Sequence, residues 1–239
     1  MKKCLSDPHI FSKRHINVAN DGMIKAILFD LDGTLIDPKE GITKCIQYAL
    51  QRMQVESPPL DQLTWCIGPP LKTSFENLLD TSDEDVLSLA IRYYRERFSQ
   101  TGIFENKLYP GVASSLDTLR VNGVNLFLAT SKPRVFARQI LDHFDLTSSF
   151  IQAYGSELDG RRSDKGELIA YIIDQAGLEP LTTMMVGDRI HDIDGGKQNK
   201  VITAAVSYGY GTPEEITAAE PDYIFDSLEA LNQTILFKS

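Results

Sequence analysis

The sequence predicts an α/β fold, a parallel sheet with helices on both faces plus a small all-helical lobe, and three observations predict it. Apolar runs such as Ile27-Leu28-Phe29, Val124–Ala129, Met184-Met185-Val186, Ile202–Val206 and Tyr223–Phe225 alternate with helical stretches, the pattern of a parallel sheet covered on both sides. Several of these runs stop abruptly at carboxylates or hydroxyls, where ligands of open α/β sheets collect. For about seventy residues after Asp37-Pro38 the alternation gives way to helical spacing alone: Ile42, Ile46, Ala49, Leu50 and Met53, then Leu87, Ile91, Tyr94 and Phe98. With 239 residues, 42% of them hydrophobic, the chain can bury one core and a small lobe.

Residues 1–22 carry Lys2, Lys3, Lys13 and Arg14, but Asp7, Pro8, His9 and Asn17 interrupt any apolar stretch a signal peptide would need. They are expected to be a poorly ordered extension, with Met23 a candidate start. The core is then expected over residues 23–37 and 108–239, and the helical lobe over 38–107.

The first strand runs into Asp30-Leu31-Asp32-Gly33. Two carboxylates this close repel unless a cation or a shared proton compensates them, and Mg2+ favours such oxygens. A solvated Asp-x-Asp-Gly turn reads equally well in isolation, and the Asp-x-Asp metal site of a glycosyl transferase is a further alternative. A calcium loop fits poorly, because a strand precedes the motif and Leu35-Ile36 follows it.

Three later motifs decide between these readings. Thr130-Ser131-Lys132-Pro133 follows the run ending at Ala129 and precedes a helical stretch from Arg134 to His143. A hydroxyl and free backbone N–H groups at a helix entrance can cradle phosphate, or Thr130 or Ser131 can be a plain cap. Ser163-Asp164-Lys165-Gly166-Glu167 opens the helix Leu168 to Ala176; a cation in a first turn opposes the helix dipole, so Lys165 either reaches an anion or is a surface lysine. Finally, Val186-Gly187-Asp188 leads into Asp192, each of whose carboxylates alone could be a turn or cap residue. Asp-x-Asp, Thr-Ser, Lys and Asp-x-x-x-Asp in this order, each at a strand end or helix start, are not a chance set.

Together these motifs resemble the haloacid dehalogenase superfamily, and specifically its phosphatases related to phosphoglycolate phosphatase. Ile67–Phe75, Tyr154–Gly160 and Gly187-Asp188-Arg189-Ile190-His191-Asp192 are similar to the subgroup described as 5′-nucleotidase-like. The resemblance implies a Rossmann-like core with a helical cap and a Mg2+-dependent phosphomonoesterase. Asp30 would be the nucleophile, forming an aspartyl-phosphate. Asp32 would be general acid and then base, and would offer its backbone carbonyl to the metal. Thr130 and the Ser131 amide would hold phosphate oxygens, Gly33 would let the chain turn beside them, and Lys165 would neutralise phosphate and Asp30. Asp188 would complete the metal site with Asp30, and Asp192 would join it directly or through water. A dehalogenase would not need Asp32. Related phosphosugar mutases carry a histidine twelve residues after the nucleophile, where Ile42 stands here. Pyrophosphatase and noncatalytic roles remain as further alternatives.

The substrate implied is a nucleoside 5′-monophosphate, with phosphoglycolate as the alternative. Trp65 or Phe75 would supply a face for a base, and Lys72 a cation for a small acid. Trp65 otherwise belongs to the lobe's core and Lys72 to its solvated surface. Arg189 could touch the leaving group, and His191 reads as a surface residue. A net charge of −9 argues against nucleic acid polymers and anionic membranes as partners. Scattered Cys4, Cys45 and Cys66 have no metal spacing and fit reduced thiols in a cytoplasm. The expected partner is a small phosphate ester, met by a monomer or weak dimer.

Overall fold

The computed structural model describes residues 23–237; the expectations for residues 1–22, and for Cys4 among them, lie outside that range. In chain order the strands are β1 (Ala26–Phe29), β2 (Ile36–Asp37), β3 (Lys107–Leu108), β4 (Asn125–Pro133), β5 (Gln152–Ser156), β6 (Thr183–Gly187), β7 (Ile202–Val206) and β8 (Tyr223–Phe225). The α-helices are α1 (Lys39–Arg52), α2 (Leu71–Leu79), α3 (Glu84–Phe98), α4 (Val112–Val121), α5 (Arg134–His143), α6 (Lys165–Ala176), α7 (Ile190–Gln198), α8 (Pro213–Ala219) and α9 (Leu228–Leu236).

Six parallel strands form one sheet in the order β5-β4-β1-β6-β7-β8. The chain leaves β1 towards β4 and β5, then returns to β6 on the other side, so the strand order reverses around β1. Its carboxyl end is the topological switch point where a ligand crevice opens. Alternation along the strands divides the core between the two faces of the sheet. Ile27, Phe29, Leu126, Leu128, Met184 and Val186 join one apolar cluster, whereas Ala26, Leu28, Phe127, Ala129 and Met185 join another with Leu168, Ile169 and Ile172 of α6.

The antiparallel pair β2 and β3, with Ile36 opposite Leu108, forms a narrow neck. All the regular structure between its strands is helical: α1, a 3₁₀ turn at Leu60–Cys66, α2, α3 and a second 3₁₀ turn at Gly102–Phe104. Leu63, Phe75, Leu87, Tyr94 and Phe98 of this lobe belong to the same apolar cluster as Ile27 and Phe29, so lobe and sheet share a continuous core. Trp65 departs from its expected place in that core. It is 42% exposed, because the neighbouring Leu63 and Cys66, not the indole, are the residues that the short 3₁₀ turn buries.

Phe75 is fully buried, edge-on to Tyr94 at 6.4 Å. Phe75→Ala is therefore expected to cost about 3–5 kcal/mol of stability, measurable as a lower urea midpoint at unchanged slope. Trp65→Ala should cost far less.

Candidate active site

The sheet delivers the acidic residues to one place. Beyond β1, Gly33 turns with φ +85°, a conformation that disfavours a side chain; a Cβ there would also lie 2.2 Å from Asp188 Oδ2. Gly187 does the same for Asp192, whose carboxylate carbon would be 2.1 Å from an added Cβ. Missing side chains at these two positions let carboxylates from three segments converge. One oxygen each from Asp30, Asp188 and Asp192 lies within 4.8 Å of the others, and all three residues are buried.

Lys165 neutralises part of this charge. Its ammonium donates to Asp30 Oδ1 at 2.8 Å and to the Ala129 carbonyl at 2.9 Å, and pairs with Asp192 Oδ1 at 2.8 Å. The surface-lysine alternative is thereby overturned, since the residue is only 5% exposed. Helix α6 takes its N-cap from Asp164, which accepts from the Glu167 N–H, and Lys165, the first residue of that helix, pairs with Asp30 and Asp192. Burial works against its charge, but Asp192 and Asp30 outweigh burial and hold its pKa above the ordinary lysine value. Burial, reinforced by Asp192 and Asp30, raises the Asp188 carboxyl well above the usual carboxylate range. Burial also raises Asp192, with Lys165 opposing.

Three buried carboxylates against one ammonium leave the cluster two negative charges in excess at full ionisation. All its donors are oxygens, the preference of hard divalent cations. Asp30, Asp188 and Asp192 therefore fit a Mg2+ ion. The Asp32 side chain is not part of that set. It accepts from Lys132 Nζ at 2.7 Å, which leaves the backbone carbonyl as the atom the sequence resemblance assigned to metal. Burial raises the Asp32 pKa while Lys132 pulls against it.

The strand carrying Thr130 departs from expectation. Rather than stopping at Ala129, β4 continues to Pro133, with a register shift against β5 between Thr130 and Pro133. Such a bulge re-aims side chains where a strand meets a site. Thr130 is buried, its Oγ1 accepting from the Lys132 N–H, and the Ser131 carbonyl accepts from Ser156 Oγ. Lys132, absent from the sequence-derived candidates, is the site residue that reasoning missed.

Above Asp30 and Asp32 opens a cavity of about 580 Å3 between lobe and sheet. Its walls mix Ile42, Leu71, Leu87, Ile91 and Phe136 with Lys72, Arg92, Arg95 and Lys132, and Thr130 and Ser131 border its floor. Neither aromatic suggested by sequence lines it: Phe75 is sealed in the lobe and Trp65 lies outside the wall. Lys72 does line it, but pairs with the exposed Glu84 at 2.6 Å. Arg189 does not reach the leaving-group space. Its guanidinium donates to the Ile67 carbonyl and to Glu215, tying the Asp188 loop to the lobe. His191 is exposed, as expected. Burial raises the thiol of Cys45 to about 11 and that of Cys66 to about 12, so both are protonated and poor nucleophiles at neutral pH.

The sequence signature of haloacid dehalogenase-like hydrolases matches residues 27–206. The chain belongs to that family. A protein of Pseudomonas aeruginosa named 5′-nucleotidase is 44% identical over 209 residues, 87% of this chain and 94% of that protein. Tyrosine-protein kinase PtkA of Mycobacterium tuberculosis is 37% identical over 191 residues, 80% of this chain but 64% of its own length. The crystal structure of a predicted phosphatase from Clostridium acetobutylicum superposes with a TM-score of 0.86 at 41% identity, covering 90% of this chain and 99% of that one. This member of the hydrolase family is a phosphatase. No described helix is long and apolar enough to cross a membrane.

Proposed function

We propose that this enzyme hydrolyses nucleoside 5′-monophosphates through an aspartyl-phosphate on Asp30. The observation that carries the substrate reading is the cavity above Asp30 and Asp32. At about 580 Å3 it is in the range of sites that enclose drug-sized ligands, and the apolar side chains of Ile42, Leu71, Leu87, Ile91 and Phe136 on its walls suit a sugar and base. A glycolate leaving group would fill little of it. The cation offered for that smaller acid, Lys72, already has Glu84 as its partner.

In this mechanism Asp30 attacks phosphorus while Lys165 offsets negative charge on the phosphoryl oxygens and on Asp30 itself. Thr130 Oγ1 and the Ser131 N–H bind phosphoryl oxygens. Asp32 gives its proton to the bridging oxygen as the P–O bond breaks, releasing the nucleoside as an alcohol. It then takes a proton from the water that hydrolyses the aspartyl-phosphate, so one group serves both half-reactions. The raised pKa that burial imposes on Asp32 favours the protonated form needed first. Mg2+ held by Asp30, Asp188 and Asp192, and by the Asp32 carbonyl, would supply further charge neutralisation of the phosphoryl group.

The test is kcat/KM across nucleoside 5′-monophosphates and phosphoglycolate, since that ratio reports differential transition-state binding. Nucleotides are expected to lead by about tenfold or more, as the larger buried leaving group predicts. A preference of about a hundredfold for phosphoglycolate, lost in Lys72→Ala, would overturn the nucleotide and leave the phosphatase standing.

A further inference from the structure

We infer that Lys132 is the positioning residue for the Asp32 proton donor, an assignment that rests on the acid role proposed for Asp32. The two lysines of the site divide their work. Lys165 serves Asp30 and Asp192, whereas Lys132 Nζ lies 2.7 Å from Asp32 Oδ1, their side chains 6% and 11% exposed. Among the described residues, Asp32 is the one side-chain or backbone acceptor bonded to that ammonium. The ammonium also lies 4.9 Å from the centroid of the Phe98 ring of α3, a cation–π contact. Phe98 is itself fixed, stacked on Tyr94 at 5.4 Å and edge-on to Phe136 of α5 at 5.3 Å.

The backbone is shaped to put Lys132 there. The β4 register shift falls between Thr130 and Pro133, and β5 approaches so closely that a Cβ on Gly155 would meet the Lys132 carbonyl at 2.6 Å. A buried ion pair contributes little net stability, because desolvation consumes most of the Coulomb gain. Its value here is positional. A carboxyl accepts from an ammonium whether ionised or protonated, so the bond from Lys132 Nζ to Oδ1 fixes Asp32 beside the cavity both residues line.

Lys132 thus differs from every residue that acts on phosphorus. A nucleoside 5′-alkoxide must be protonated as it leaves, whereas p-nitrophenolate leaves without a proton. Because kcat/KM stops at formation of the aspartyl-phosphate, it isolates the step in which Asp32 gives its proton. Lys132→Met is expected to lose about a hundredfold in kcat/KM on a nucleoside 5′-monophosphate, the scale of a misplaced catalytic group, but less than about threefold on p-nitrophenyl phosphate, which needs no general acid. The ratio of the two, taken on one preparation, is independent of any misfolded fraction. Lys132→Arg, which keeps a cation, should recover part of the nucleotide rate. Equal losses on both esters, or no loss on the nucleotide, would overturn the assignment. If the unmodified enzyme cleaves p-nitrophenyl phosphate but no nucleotide, the substrate reading alone fails and an alkyl phosphate it does cleave takes the nucleotide's place in the ratio. Cleavage of neither would overturn both readings.

Discussion

Asp30→Asn is expected to reduce turnover on the order of 10⁵-fold, the scale on which loss of an attacking side chain registers, while leaving the fold intact. The substitution removes the anion but keeps a carbonyl oxygen where Oδ1 now accepts from Lys165. Lys165 also retains Asp192 at 2.8 Å and the Ala129 carbonyl at 2.9 Å, so no ammonium is left buried without a partner. Asp30 holds its place in the sheet through its backbone N–H, bonded to the Val186 carbonyl at 2.9 Å, and that bond is indifferent to the side chain. The change in stability should stay within about 1 kcal/mol. Rate and unfolding midpoint on the same preparation separate lost chemistry from lost fold. Borohydride reduction during turnover gives the complementary evidence: unmodified enzyme should yield homoserine at position 30, and the substituted enzyme none. Turnover within tenfold of the unmodified enzyme would remove the aspartyl-phosphate from the mechanism.

Much of this arrangement is legible in the sequence for local reasons. A buried strand that ends in two carboxylates is anomalous in any fold, and Ile27-Leu28-Phe29 does so at Asp30 and Asp32. Lys165 is legible because it stands where the helix dipole disfavours it, and in the structure it reaches two carboxylates. Lys132 is not legible in that way. Between Thr130-Ser131 and Pro133 it reads as a turn lysine, and its burial depends on a register shift against β5, some twenty residues further along the chain. Trp65 and Phe75 fail for a related reason. Helical spacing identifies an apolar face but not which neighbour closes over it, so the indole emerges on the surface and the phenyl ring is sealed against Tyr94. The cavity is likewise made of side chains from α1, α2, α3, α5, β4 and the loops between, and its size has no signature in any one segment. Its volume and its apolar lining are properties of packing at long range. The motif residues depend on strand ends and helix starts alone.

Asp188 is where the electrostatics of the site should be measurable without any substrate. Its side chain is fully buried, accepts from the Tyr210 N–H at 2.7 Å and from Thr34 Oγ1 at 3.3 Å, and has no cation of its own among the described residues. Burial first, then the charges of Asp192 and Asp30, raise its pKa in the fold. A carboxyl whose folded pKa lies above its unfolded value favours the native state when protonated. That contribution is fully present below the unfolded carboxylate range and is lost as pH rises through the folded pKa. Chelated protein should therefore lose stability as pH climbs from the acid side towards neutrality. Asp188→Asn is neutral throughout and keeps an oxygen for Tyr210, while the Thr34 hydroxyl can rotate to accept from the new amide. Above the folded pKa it should unfold higher than the unmodified chain in chelator, by on the order of 1 kcal/mol or about 2–4 °C for a chain of this size. Mg2+ should reverse the order. At about a hundred times its dissociation constant it stabilises a protein with an intact site by about 2.7 kcal/mol, and the substituted protein should gain little of that and be inactive. Thermal unfolding of both proteins, with chelator and with Mg2+, across a pH series reads all of this. A Tm for Asp188→Asn below that of the unmodified chain in chelator, together with an undiminished rise in Mg2+, would mean that Asp188 supports the fold through its hydrogen bonds and takes no part in holding the metal.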